Sequence, residues 1–425
     1  METLVNIRKV SLICGLLMLT IICGLWIPAL MLVAFAFHTL TVITLKSEET
    51  FYILFFIMPF GLIYKYPGVT LSFLTLIEIV MIFVVMMRHK RINAVLLLLL
   101  MVVSLYFFMR MNTYYMAIPK LLVTYLTVTV FIKSYENESI KKYTDFFIWG
   151  LILSSIVGVF KESIPSLLSY YSDMNYDYIE GERTLRFSGL FNDPNYYSIA
   201  LISAMVLLIY LKKYKNYSIG KFYLFFIPLS IMGLLTYSKS FILIYAFVLM
   251  LEVILNLKGQ HKLQSFCEIL LIILLFVIVF SGKIEIVNKI FSRFTSSQGL
   301  TTGRSDIWEK YWAVISSKEL YKWFGLGLDA PYVAGKAAHN LYLEMIYYSG
   351  YIGLVIFLFS WLVIVFSSHR NKIRLSNTVL LIIVFVMYAF LCGFLNYAYP
   401  FYMIFCWMIA DINCQEKRNE VYTKT

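Results

Sequence analysis

Apolar residues recur along this chain in runs of roughly 16 to 28 residues, each closed by a short polar or basic stretch. Runs of that length predict helices. About 20 apolar residues cross the hydrocarbon core of a bilayer, and a helix satisfies every backbone N–H and C=O within its own segment. A barrel would show short segments of alternating polarity instead. The spans predicted in this way lie near 10–26, 28–45, 51–65, 69–87, 92–109, 116–133, 145–160, 190–211, 222–237, 240–257, 262–281, 339–366, 377–394 and 399–413. Only Trp26, Ile27 and Pro28 separate the first two, and the third is short, so twelve or thirteen spans fit as well as fourteen. The expected fold class is an all-α polytopic membrane protein, with residues 1–425 forming a single transmembrane domain.

Composition strengthens this picture. The chain is 61% hydrophobic and 14% charged, against about a quarter charged in soluble domains, and no soluble domain of ordinary size is left over. Arg8 and Lys9 precede the first apolar run, but that run outlasts a secretory core and shows no small-residue cleavage site. It is expected to be retained as a span. The formal charge of +12 reads as a topology signal. With the N-terminus cytoplasmic, every short basic loop falls on the cytoplasmic side: Arg88–Arg91, Lys133–Tyr143, Lys212–Lys221, Lys258–Lys262, His369–Arg374 and Glu416–Arg418. A nucleic-acid partner is not needed to explain the charge. Two longer segments then face outward, 161–189 and 282–338, the second preceding the last three spans. Within it, periodic apolar residues from Ser305 to Ser316 predict a short helix against the membrane surface. The six cysteines lie in or beside apolar runs without metal-ligand spacing, so neither a disulfide framework nor a metal site is expected.

Four polar clusters fall on the outward side: "RTLRFSGLFNDPN" from Arg183, "TYSKS" from Thr236, "TGRSDIW" from Thr302 and "HNLYLEMIYYSGYIG" from His339. Each has a plain structural reading beside a chemical one. Arg183 and Arg186 either solvate a loop or bind anions. Asp193 and Asn195 flank Pro194 as a helix start requires, the side chains taking free N–H groups. Lys239 lies in a turn between two apolar runs, so it either snorkels or lines a polar cavity. His339 opens a long apolar run as a helix-start residue or a base. Asn340 and Glu344 are four residues apart on one helix face, which can turn the carboxylate toward a cavity under His339. Glu78, in mid-span, is either functional or a partner for a neighbouring helix.

Taken together the clusters make one chemistry. Arginine forks and a lysine can hold a pyrophosphate and stabilise the leaving-group charge. A neutral histidine can take the proton from an attacking hydroxyl. No Asp-rich external cluster suggests a metal, so no cofactor is expected and the positive side chains would replace a cation. Tyr170, Tyr171, Tyr176, Tyr178, Tyr311, Trp312 and Trp323 either stack on sugars or belong to an interfacial aromatic belt.

The order of "RFSGLFNDPN", "TYSKS", "GRSDIW" and "HNLYLEMIYYSGYIGL" resembles the bacterial O-antigen ligase and polymerase superfamily, which includes capsular and exopolysaccharide repeat-unit polymerases. The likeness covers Arg183 to Leu354; the earlier spans match only in hydropathy. It implies a glycosyltransferase C-like fold in the bacterial inner membrane and a metal-independent, inverting transfer of glycan from undecaprenyl pyrophosphate to an acceptor hydroxyl at the outer face. By the same resemblance Arg304, His339, Lys239 and Arg186 fall on the family's functional positions; Arg304 and His339 are expected to be catalytic, and Arg186, Arg183, Lys239, Asn195, Asp193, Asn340 and Glu344 to bind pyrophosphate or glycan. Lys239 stands where the family commonly has arginine, which keeps the charge and loses the fork. The implied partners are the lipid-linked oligosaccharide, the bilayer, and the chain-length regulator and flippase of the same pathway. A ligase that moves finished glycan to lipid A core or another acceptor is the alternative within the family. A lipid-linked oligosaccharide flippase is the alternative from another class, for which internal repeats and polar residues deep within spans are expected.

Overall fold

In the computed structural model, residues 6–69, 71–89, 140–164, 176–179, 182–257 and 304–367 are described, with isolated positions among 106–130 and at 292. Apart from those isolated positions, the predicted spans near 92–109, 116–133, 262–281, 377–394 and 399–413 lie outside the described residues, as do 165–175 and most of 282–303. Contacts group the chain into two compact units, Met1–Gly150 with Arg304–Thr425, and Leu151–Gly303. The hydropathy pattern carries no sign of that division.

The first unit opens with α1 (Ile7–Gly24), where the Asn6 side chain accepts from Lys9 N. The chain breaks at Trp26–Pro28 and continues as α2 (Ala29–Thr44), which packs on α1. A short α3 (Ser47–Ile57) and a 3-10 turn through Pro59 follow, then α4 (Phe73–His89). Phe35 of α2 stacks on Phe73 of α4 with ring centroids 4.8 Å apart. At the far end Arg88 donates to the carbonyls of Leu45 and Ile43. That guanidinium takes up carbonyls that a helix terminus leaves without partners, where a cation also suits the helix dipole.

The third predicted span takes a different form. Eleven residues rise about 16 Å, half of what a crossing needs, and every residue from Glu49 to Ile57 is buried. Tyr52 stacks on Phe146 of α5 (Ile140–Val159), its rings also meeting Tyr143. α3 is a core segment covered by protein on all faces, and a hydropathy window cannot tell that from burial in lipid.

The second unit contains a two-stranded antiparallel hairpin, β1 (Tyr176–Ile179) and β2 (Glu182–Leu185), which places Arg183 opposite Tyr178. Three helices follow: α6 (Pro194–Tyr214), α7 (Ile219–Leu234, with Pro228 inside) and α8 (Lys239–Leu257). α6 is the centre of this unit. It packs on both α7 and α8 and is buried along nearly its whole length.

Back in the first unit, α9 (Arg304–Ser316) occupies the predicted surface-helix stretch, followed by α10 (Glu319–Phe324) and α11 (Leu341–Ser367). Among the described residues, four helices are long and apolar enough to cross a membrane: Ile7–Gly24, Ile140–Val159, Pro194–Lys212 and Leu341–Phe359. Shorter apolar helices cover Ala29–Thr44, Ile219–Leu234 and Lys239–Met250. The chain is thus a helical protein with the helices of a membrane protein.

α11 is not continuous. Gly350 adopts φ 69°, ψ −176°, a region essentially restricted to glycine. A break of this kind turns the carbonyls of the preceding turn away from the helix. Here the segment after α10 meets them: Leu326 N donates to Tyr347 O at 2.8 Å and Gly327 N to Tyr348 O at 3.0 Å, while Tyr106 OH donates to Ser349 O. The two backbones touch through a glycine on each side. A Cβ on Gly350 would lie 2.2 Å from Trp323 O, and one on Gly325 2.4 Å from Ser349 N.

Candidate functional site

Two of the four polar clusters meet in the second unit. Asp193 caps α6 by accepting from Asn195 N at 2.6 Å, with Pro194 at the first helical position, so its carboxylate has a structural task. The loop before it docks on the turn between α7 and α8. Arg186 Nε donates to Thr236 O at 3.1 Å, and Phe187 N to Leu235 O at 3.0 Å. The Thr236 hydroxyl donates to Gly233 O at 2.6 Å and accepts from Ser238 N and Ser198 Oγ. Ser238 Oγ lies 2.9 Å from both Asn195 Oδ1 and Ser240 Oγ. Between these anchors Tyr237 is held at φ 47°. Lys239 begins α8 and is 8% exposed; Arg186 is 9% exposed. The structure therefore joins "RFSGLFNDPN" to "TYSKS" through a continuous hydrogen-bond network with two buried cations at its edges.

A third cation belongs to this junction, and the sequence pattern does not reveal it. Lys161, just past the end of α5, is 2% exposed, and its Nζ donates to Ser188 Oγ at 2.9 Å. Ser188 Oγ in turn donates a hydrogen bond to Phe191 O at 2.8 Å. Burial lowers the Lys161 pKa to about 8, with the Glu162 carboxylate partly opposing the shift. A lysine directly after an apolar run ordinarily reads as an interfacial anchor. Its contact with a loop 27 residues later distinguishes it.

The other two clusters meet in the first unit. Trp308 Nε1, from "GRSDIW", donates to Ala338 O at 2.7 Å, immediately before "HN". Tyr311, one turn further on, donates to Lys336 O at 2.9 Å, and its ring packs edge-on against Tyr347 of α11 at 4.8 Å. Tyr311 is fully buried, so this ring of the expected aromatic set is a packing residue with no face for a sugar. Trp312 and Trp323 are exposed. Asn340 caps α11, its Oδ1 accepting from Tyr342 N and Leu343 N at 3.1 Å each. Glu344, also buried, accepts from Ala338 N at 3.1 Å. Both side chains thus engage backbone N–H groups. The Glu344 carboxylate does turn back toward His339, but it reaches the backbone of the residue before it.

These pins leave His339 at φ 52°, a left-handed conformation that costs a non-glycine residue about 1–2 kcal/mol. Strain of this kind persists only where the surroundings over-determine it, and it clusters at functional sites. Arg304 starts α9 four residues before Trp308, so the two share a helix face, and that face meets the turn carrying His339. Trp308→Phe keeps most of the ring and removes the donor to the buried Ala338 carbonyl. It is expected to cost about 1–3 kcal/mol, read as a lower thermal midpoint in detergent; an unchanged midpoint would mean the bond does not hold the turn.

Of the nine residues expected at the site, the structure places Arg186, Asp193, Asn195 and Lys239 in one junction and Arg304, His339, Asn340 and Glu344 in the other. Arg183 lies on β2. No protein-family profile, no curated protein and no solved structure matches the chain.

Proposed function

We propose that this chain polymerises undecaprenyl-pyrophosphate-linked oligosaccharide repeat units at the outer face of a bacterial inner membrane, in a glycosyltransferase C-like fold. The observation that carries the proposal is the Trp308–Ala338 bond. It seats the "GRSDIW" helix on a strained histidine turn, giving one arginine and one histidine a shared, rigid support. Arg304 binds the donor pyrophosphate, where its positive charge offsets the negative charge developing on the leaving group. His339 accepts the proton of the acceptor hydroxyl. The hydroxyl oxygen bonds to the anomeric carbon from the face opposite the pyrophosphate. The carbon–oxygen bond to phosphate breaks, and undecaprenyl pyrophosphate leaves with that electron pair, inverting the anomeric configuration.

A second reading draws on a different observation. His38 is fully buried in α2 with neither ring nitrogen hydrogen-bonded, and Glu78 is buried in α4. Ionisable groups within spans often mark a transport path, which favours a lipid-linked oligosaccharide flippase. One experiment separates the readings: the size distribution of surface polysaccharide, by gel, in a host lacking the gene and complemented with wild type or Arg304→Ala. The expected result is a single repeat unit in the null strain, a full ladder with wild type and a loss of about 100-fold or more in long chains with Arg304→Ala. Long chains still linked to undecaprenyl in the null strain would mean a ligase. Repeat units held on the cytoplasmic leaflet would mean a flippase.

A further inference from the structure

We propose that the face of α10 carrying Leu320, Trp323 and Phe324 is an interfacial membrane anchor, immersed at the boundary between the headgroups and acyl chains of the bilayer, with phospholipid as its partner. The helix is short but two-sided. Trp323 and Phe324 lie three and four residues after Leu320, so both flank it on one face, and all three side chains are exposed. Glu319 and Lys322 pair with each other on another side. Large apolar side chains clustered outside the core mark a contact surface. A tryptophan among them suits the membrane–water boundary, where its ring is in apolar surroundings and its N–H in wet ones.

The neighbouring helix identifies what covers that face. The Trp323 ring meets Tyr351 of α11 edge-on at 5.9 Å. Tyr351, Val355 and Phe359 follow one another at four-residue steps on one side of α11. Val355 and Phe359 are exposed, within the stretch of α11 that is long and apolar enough to cross a membrane. On a span, lipid is the solvent for exposed apolar side chains, and this stripe runs about 12 Å along the helix from Tyr351. Trp323 stands at its head and continues it. The fold also fixes the depth of the contact. Trp323 O leaves no room for a Cβ on Gly350, where α11 breaks, and the amides of Leu326 and Gly327 hold the following residues to α11. α10 therefore cannot rise or sink without moving the span, and the segment that leads on to the His339 turn is held at the bilayer surface. α9 differs, because its exposed positions include Asp306, Glu309 and Lys310, which suit water. The anchor is independent of the reaction assigned to the chain.

The test places the photo-crosslinker p-benzoylphenylalanine, one site at a time, at Leu320, Phe324, Glu309, Glu319 and Val355 of the full chain in nanodiscs of phosphatidylethanolamine and phosphatidylglycerol. Lipid adducts are read as a mass shift after irradiation. Leu320 and Phe324 are expected to give at least about fivefold more adduct than Glu309 and Glu319, and to approach Val355. With two anchor sites, one that disturbs folding, seen by size exclusion, leaves the other to decide. Adduct at Leu320 and Phe324 no greater than at the two glutamates, with Val355 labelled, would put α10 in water and overturn the proposal. A crosslink from those positions to a second copy of the chain would make the face a subunit interface and overturn it equally. If Val355 gave no lipid adduct either, the reading of α11 as a span, on which the anchor rests, would fail with it.

Discussion

Replacing His339 with glycine is expected to lower polymerisation by about 10²–10⁴, the usual contribution of a positioned general base, while leaving the protein as well folded as wild type. The reason lies in the backbone. His339 sits at φ 52°, which glycine adopts without the steric cost of a Cβ. Relief of that strain separates the chemistry of the side chain from its structural effects. His339→Ala should lose activity to the same degree, yet be less stable than His339→Gly by about 1 kcal/mol. The measurements are turnover of lipid-linked repeat units in reconstituted membranes and the thermal midpoint of each variant. Wild-type turnover by His339→Gly would remove the histidine from the mechanism. Equal loss with a large drop in midpoint would instead make it a structural residue.

Gly350→Ala is expected to have the largest effect on folding. The backbone at φ 69°, ψ −176° lies where an L-residue pays about 1–3 kcal/mol, and the added Cβ would stand 2.2 Å from Trp323 O. A backbone oxygen cannot swing aside as a flexible side chain can. The segment carrying Leu326 and Gly327 would have to withdraw, leaving Tyr347 O and Tyr348 O without those donors at roughly 1–3 kcal/mol each. Size-exclusion profiles and melting in detergent should show little or no folded protein. A monodisperse Gly350→Ala variant melting within about 2 °C of wild type, where 1 kcal/mol shifts the midpoint of a large domain by about 2–4 °C, would show that the break is not needed. Because the same segment leads to the turn holding His339, any Gly350→Ala protein that does fold should also have lost activity.

Much of this architecture is legible along the chain. The apolar runs correspond to α1, α2, α4, α5, α6, α7, α8 and α11, because a helix needs only local hydrogen bonds and its length appears directly in the run. The caps are equally local: Asp193 with Pro194, and Asn340 before α11, act within three residues of themselves. The helix from Arg304 follows from its apolar period. The four polar clusters are visible as interruptions of hydrophobicity at the ends of runs.

What the chain does not disclose involves partners far away in sequence. Hydropathy measures the preference for leaving water and is indifferent to whether protein or lipid receives the side chain, so α3 looks like a span when it is a core segment. The break in α11 needs amides from Leu326 and Gly327 to accept its carbonyls, and no local pattern around Gly350 contains them. Lys161 and Tyr311 look like an interfacial anchor and an aromatic-belt residue until Ser188 and Lys336 are found beside them. By itself, then, the sequence determined the helices, their caps and which residues could carry chemistry, since those follow from nearest-neighbour physics. The tertiary structure alone decided which clusters meet, that Trp308 and Tyr311 hold the His339 turn, and that a buried lysine joins Arg186 and Lys239. Those are contacts between segments, and their energy exists only once the chain has brought them together.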